Sequence, residues 1–341
     1  MRVRRGRAFA LLALLAGLVG VSAHLAVAWW DEPLETAQAV IVEVEPGARL
    51  AGVANQLEAA KVLTHPTLWG WQMRLRGLAG RLRAGEYEVP PHVSPRELAA
   101  LLVSGKVLLH PVTLVEGWTL REVLQTLHAQ PFLKRTIDRP SEATALTVTG
   151  TQGLALEGQL FPDTYRVPKG TSDVELLKWA HLRLNQELQA AWTQRAPGLP
   201  FAHAGEALTL ASIIEKETGN PEERPRIAGV FVNRLRKGML LQTDPTVIYG
   251  MGERYQGVLH KADLLADTPW NTYTRKGLPP TPIALPGRAS IEAALHPAQT
   301  VDLYFVASGR GDGRHTFSAT LSAHNAAVAA YVASQRKGPA R

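Results

Sequence analysis

The sequence predicts an α+β protein: an N-terminal transmembrane helix, a small α+β subdomain and a larger α+β domain. Three observations predict it. The 23 residues from Ala8 to Trp30 contain no Asp, Glu, Lys or Arg. Beyond them, short β-branched runs alternate with stretches of helical period. Turn signals such as Pro46-Gly47 and Ala196-Pro197-Gly198-Leu199-Pro200 separate these elements.

The apolar run spans roughly 35 Å as a helix, enough to cross a hydrocarbon core of about 30 Å. Trp29 and Trp30 stand where an interfacial aromatic anchor belongs, and Arg2, Arg4, Arg5 and Arg7 precede the run. Those arginines orient it with the remainder of the chain outside the cytoplasm. A cleaved signal peptide is the alternative, because Val21-Ser22-Ala23 offers small residues to a signal peptidase. The apolar stretch continues seven residues past that point, which favours a retained anchor.

After a polar linker, Val40 to Val44 reads as a strand and Leu50 to Val62 as a helix with Leu50, Val53, Leu57 and Ala60 on one side. A second helix is expected from Thr67 to Arg83 and a strand from Gly85 to Val89. Ser94-Pro95-Arg96-Glu97 opens another helix, with an N-cap, a proline and an acid in order. An extended piece, Leu108 to Val115, leads through Glu116-Gly117 to a helix from Thr119 to Leu127. Residues 132 to 152 read as an irregular connection. A loop and strand, Phe161 to Val167, and a helix from about Ser172 to Thr193 complete this stretch.

Charge and motifs exclude several functions. The formal charge is +7, but four bases lie before residue 8 and three are Arg336, Lys337 and Arg341. The 37 Lys and Arg less those seven leave 30, matching the 30 Asp and Glu. A neutral body is no footprint for nucleic acid. The absence of Cys rules out disulfides, thiol nucleophiles and Cys-ligated zinc. The eleven His show no His-Glu-x-x-His spacing, so no metal is expected. Ser-x-x-Lys occurs only at Ser334 to Lys337, and Gly309-Arg310-Gly311-Asp312-Gly313 reads as a hairpin turn before His315-Thr316-Phe317.

The chemistry points to residues 206–218, an apolar helix that ends in Glu215 and Glu217. Two residues apart is about 200° of rotation, so the two carboxylates cannot share a side. Glu215 shares its side with Leu208, Ala211 and Ser212, and Glu217 with Leu210, Ile213 and Ile214. A carboxyl among apolar groups keeps its proton above the usual pKa of about 4.3, as a general acid requires. Periodicity slightly favours Glu217 as the buried one. A solvated helix end balanced by Lys216 fits the same spacing.

Ala211-Ser212-Ile213-Ile214-Glu215-Lys216-Glu217-Thr218 resembles the catalytic helix of the YceG-like family of endolytic murein transglycosylases. Further matching strings are Val230-Phe231-Val232-Asn233-Arg234-Leu235, Gly238-Met239, and Leu241-Gln242-Thr243-Asp244-Pro245-Thr246-Val247-Ile248-Tyr249-Gly250. Asn271-Thr272-Tyr273, Gly277-Leu278-Pro279-Pro280, His296-Pro297, Tyr304-Phe305-Val306-Ala307 and His315-Thr316-Phe317 follow in order. The resemblance covers residues 150–332 and, more loosely, 40–110.

That resemblance puts the catalytic glutamate at Glu215 and leaves Glu217 as a supporting carboxylate. Through the string from Glu157 to Tyr165 it sets Glu157 and Tyr165 near the cleft. It offers Asn233, Gln242, Thr243, Asp244, Asn271 and Tyr273 as lining of a sugar groove; turn, cap and buried hydrogen-bonding roles stay open for each. The implied reaction cuts the β-1,4 bond between N-acetylmuramic acid and N-acetylglucosamine without water, leaving a 1,6-anhydro end. Hydrolysis by the same glutamate, or a non-catalytic glycan-binding scaffold, are the alternatives. No cofactor is expected. The expected partners are peptidoglycan strands, the membrane through residues 8–30 and peptidoglycan synthases, with no nucleic acid.

The expected order is a basic cytoplasmic segment (1–7), a transmembrane helix (8–30), a linker (31–39), a LysM-like subdomain (40–108), a catalytic domain (109–335) and a basic tail (336–341). A mere spacer is the alternative reading of 40–108. The protein is expected in the cytoplasmic membrane, crossing it once, with the catalytic domain on the periplasmic or extracytoplasmic side.

Overall fold

The computed structural model describes the backbone of residues 2–336 and the side chains of residues 12–335. The arginines expected to orient the anchor and the basic tail 336–341 fall outside the described side chains. Two compact units are present, residues 1–110 with 166–169 and residues 111–165 with 170–341.

The smaller unit begins with helix α1 (Arg2–Trp29). Its window Leu12–Trp29 is long and apolar enough to cross a membrane, and none of it is buried in the protein. Trp30 leaves the helix and is 1% exposed. There follow β1 (Val40–Val44), α2 (Leu50–Ala59), α3 (Pro66–Leu75), β2 (Gly85–Val89) and α4 (Pro95–Ser104). β1 and β2 pair antiparallel with Val42 opposite Tyr87. Alternation along both strands turns Val42, Val44, Tyr87 and Val89 onto the helices, into a core with Trp30, Leu57, Trp69, Met73 and Leu98. Residues 31–39 form no regular element, but Leu34 and Thr36 are buried and the Leu34 N–H donates to the Val93 carbonyl.

Local chemistry sets the helix ends. Ser94 caps α4 in a capping box with Glu97. The helix expected to reach Arg83 stops at Leu75. Leu78 N–H donates to Met73 O and Gly77 N–H to Arg74 O, and Gly77 takes φ +67°, which closes the helix in a Schellman motif. The preceding helix ends in the same pattern at Lys61, a non-glycine residue at φ +57°.

The larger unit contains α5 (Leu120–His128), α6 (Glu142–Thr149), α7 (Asp173–Thr193), α8 (Ala204–Glu217), α9 (Arg224–Arg236), α10 (Asp244–Met251), α11 (Lys261–Leu265) and α12 (Arg288–Leu295). It ends with the hairpin β5 (Tyr304–Ala307) and β6 (His315–Ser318) and helix α13 (Leu321–Arg336). β3 (Leu109–Thr113) and β4 (Thr164–Pro168) form a further two-stranded sheet. Helix α6 corrects the expectation of irregular chain across 132–152. Only Ala145 and Val148 of it are buried, too few to print a period, whereas Ser141 caps its start and Gly150 at φ +70° its end.

α8 is the centre of this unit. All eight residues from Ala207 to Ile214 are buried, as for a helix enclosed on every side. Around it lie Leu184 and Leu188 of α7, Ile227 and Phe231 of α9, and Ile291 and Leu295 of α12. α9 can approach the segment 298–300 closely because Gly229 has no side chain: a Cβ there would meet the Ala298 carbonyl.

Candidate active site

The last turn of α8 leaves the apolar interior, as the first does, and it carries Glu215, Lys216 and Glu217. An extended segment lies along it. The Ser212 hydroxyl donates to Thr209 O (2.7 Å) and accepts from Ile283 N–H (3.0 Å). The same segment pairs with the turn 116–118 through Gly117 N–H to Leu285 O (2.8 Å) and Leu285 N–H to Trp118 O (2.7 Å). It then reaches Gly287, whose N–H donates to Glu215 Oε2 (2.9 Å).

Glu215 is therefore enclosed, with its side chain 6% exposed. Its other oxygen, Oε1, accepts from Arg224 Nη2 at 3.3 Å. Each carboxylate oxygen thus has a donor in fixed geometry, one of them charged. Beside it stands Glu116. Burial and the negative charge of Glu215 push the Glu116 carboxyl up, and Arg224 opposes them. The Glu116 carboxylate occupies the space a Cβ on Gly287 would need, and Lys216 Nζ donates to Gly117 O at 3.1 Å. The 116–117 turn, Gly287 and the end of α8 form one interlocked group.

Glu217 faces elsewhere, as helical rotation requires. Thr243 Oγ1 donates to its Oε1, and the Tyr273 hydroxyl donates to Asp244 Oδ1 at 2.6 Å. Burial raises the Glu217 carboxyl to about 7, with Asp244 raising it further and Thr243, His315 and Arg234 opposing. Gln242, at φ +50°, lies within 3.5 Å of Arg234 Nη1 through its Oε1. Arg234 is itself committed to the carbonyls of Leu303 (2.6 Å) and Leu241 (2.8 Å). Glu217 with Thr243, and Tyr273 with Asp244, therefore form a polar cluster running from the buried Thr243 to the exposed Asp244, distinct from the Glu215 group.

The remaining expected residues separate. Glu157 accepts from Leu120 N–H (2.9 Å) and the Tyr249 hydroxyl (3.1 Å), and burial raises its carboxyl to about 7. It lines a cavity of about 790 Å³ together with Lys216, Tyr249, Tyr255, Trp270 and Arg121. Glu215 itself does not line that cavity; Lys216, the next residue, does. Asn233 spends its amide on the carbonyls of Thr300 (2.8 Å) and Asp302 (3.1 Å), and Asn271 on those of Ala266 (2.7 Å) and Leu264 (3.1 Å). Tyr165 donates to Phe161 O at 2.7 Å, and burial raises its hydroxyl. Glu116, Arg224, Gly287, Tyr249 and Trp270 escaped the sequence reading as site residues. The Glu116-Gly117 pair was visible only as a link between elements, and no spacing rule joins it to Glu215 a hundred residues on.

The YceG-like family model matches residues 42–330. The chain belongs to the YceG-like family. Among YceG-like relatives it is 31% identical over 326 residues to the endolytic murein transglycosylase of Bacillus subtilis, covering 90% of this chain and 89% of that protein. It is 29% identical over 329 residues to the endolytic murein transglycosylase of Streptococcus pneumoniae, covering 87% of this chain but 59% of that longer protein. A 2.6 Å crystal structure of a YceG-like protein from Listeria monocytogenes superposes with a TM-score of 0.53 at 29% identity, covering 85% of this chain and 99% of that one.

Proposed function

We propose that this YceG-like chain is a peptidoglycan lytic transglycosylase, anchored in the cytoplasmic membrane by α1, with Glu215 as its catalytic acid and base. The observation that carries the reading is the Glu215 carboxyl itself. It lies at the mouth of an apolar helix, fixed by Arg224 and Gly287 N–H, beside a second carboxyl whose proton is held more firmly than usual. The relatives' names and the matched family model supply the substrate class.

In the proposed reaction Glu215 passes a proton to the glycosidic oxygen between N-acetylmuramic acid and N-acetylglucosamine. That C1–O bond breaks, and the muramyl 6-hydroxyl oxygen bonds to C1 while its proton goes to Glu215. The site ends with the proton it began with, and the products are a 1,6-anhydro end and a free N-acetylglucosamine end. One catalytic carboxyl suffices because the nucleophile belongs to the substrate, unlike glycosidases that spend a second carboxylate on a nucleophile or a water. Arg224 then stabilises the carboxylate after each proton is given up.

The cavity of about 790 Å³ that opens at Lys216 suits a saccharide. Trp270, Tyr249 and Tyr255 offer flat apolar faces, and Arg121, Glu122 and Gln125 polar edges. With α1 retained, the larger unit works outside the cytoplasm. Peptidoglycan synthases, which make the strands, are the protein partners this reading points to.

Mass spectrometry of glycan strands digested by the full-length protein tests the reaction. Anhydro ends are expected. Reducing ends would assign hydrolysis instead, and undigested strands would leave a glycan-binding scaffold.

A further inference from the structure

The end of α1 does not dangle from the smaller unit; it is built into it. Gln72 of α3 donates through Nε2 to the Ala26 carbonyl at 2.9 Å, three residues inside the apolar window that ends at Trp29. The Trp29 and His65 rings lie 5.7 Å apart, and the Arg76 guanidinium sits 4.4 Å from the centre of the Trp30 ring. At about 1.5 Å per residue, Ala26 lies about 4.5 Å below the end of the apolar window. Whatever plane the membrane surface takes around Trp29, α3 is at it.

α3 is furnished for that position. Trp71 and Leu75, four residues apart and so on one face, are 61% and 76% exposed. Its opposite side carries the buried Trp69 and Met73 of the core. From Lys61 to Arg83 the chain holds five cations (Lys61, Arg74, Arg76, Arg81 and Arg83) and no acid, and all five residues are exposed. An exposed Trp–Leu pair is costly against water and suited to the headgroup boundary, and the five cations from Lys61 to Arg83, with Asp31 near Arg76 as an acid beside them, suit anionic lipid.

Taking α1 as a membrane anchor, we propose that α3 lies on the outer face of the membrane. Trp71 and Leu75 enter the headgroup layer and the cations from Lys61 to Arg83 lie over anionic phospholipid. The smaller unit would then be held at a fixed depth by two contacts, the spanning helix and this face, and would not swing on a tether.

The absence of cysteine allows a direct test. Single substitutions Leu75→Cys, Trp71→Cys, Val27→Cys and Asn55→Cys are made in the full chain, spin-labelled and reconstituted in phosphatidylglycerol–phosphatidylcholine nanodiscs. Accessibility to oxygen and to a water-soluble nickel chelate is read by electron paramagnetic resonance. Labels at 71 and 75 are expected to favour oxygen, as the label at 27 does, while the label at 55 on α2 favours nickel. Leu75→Cys keeps Trp71, so its reading does not depend on losing that anchor. Pure phosphatidylcholine should shift labels 71 and 75 toward nickel without moving label 27. A nickel-accessible pattern at 71 and 75 with label 27 in lipid would overturn the proposal and leave the anchor standing. A nickel-accessible label 27 would overturn both.

Discussion

The Glu116 carboxylate fills the position that a side chain on Gly287 would occupy, while the Gly287 N–H holds Glu215. One glycine thus sets the spacing between two carboxyls from distant segments of the larger unit. Gly287→Ala keeps the amide but displaces the flexible end of Glu116. The expected result is at least a tenfold loss of glycan cleavage with a melting temperature within a few degrees of the parent's, measured side by side.

Glu116→Gln removes the like charge beside Glu215 and keeps the shape. Because two neighbouring carboxyls resist double ionisation, their coupling keeps a proton in the site to higher pH. The variant should lose that coupling. The alkaline limb of its pH–rate profile should move to lower pH, and an unmoved limb would remove Glu116 from the proton account.

Glu157 and Glu217 make stability depend on pH. Burial raises both carboxyls from an unfolded value near 4.5 to about 7 in the folded protein. The folded state therefore binds more protons than the unfolded state between those values. Their contribution is full below about pH 4.5 and is lost as pH rises through 7, on the order of 3 kcal/mol for each. Urea unfolding of Glu157→Gln should show a smaller fall in stability between pH 5 and 8 than the parent. An unchanged slope would mean that Glu157 is not held protonated.

From the partners of their amides we infer that Asn271 and Asn233 serve the fold. Each places its amide nitrogen on two or more backbone carbonyls. Asn271→Ala should destabilise by roughly 1–3 kcal/mol, because buried carbonyls lose their partner. The remaining folded fraction should cleave at close to the parent rate, which thermal unfolding and active-site-normalised kinetics separate.

Much of this was legible in the chain. β1, β2 and the helices at Thr119, Ser172 and 206–218 follow from alternation, period and capping residues, which act over a few positions. The extent of α3 was not, because the Schellman turn at Gly77 ends the helix well short of Arg83, and a turn closed by backbone hydrogen bonds leaves no mark on the spacing of apolar residues. The rotation between Glu215 and Glu217 was correct, and the two side chains enter separate networks. What surrounds Glu215 was illegible. Arg224, Gly287 and Glu116 reach it from three segments, and long-range contacts leave no period in the sequence. Conversely, Asn233 and Asn271 look like sugar-binding groups by residue type, while their amides are spent on the backbone.

The most direct test of the account is the cleavage rate of Glu215→Gln in the full-length protein, with Glu217→Gln beside it and folding checked by circular dichroism. The glutamine cannot donate the proton, so a loss of roughly a hundred- to ten-thousand-fold in anhydro product is expected, with the Glu217 variant retaining far more. Parent-like cleavage by folded Glu215→Gln would contradict the assignment.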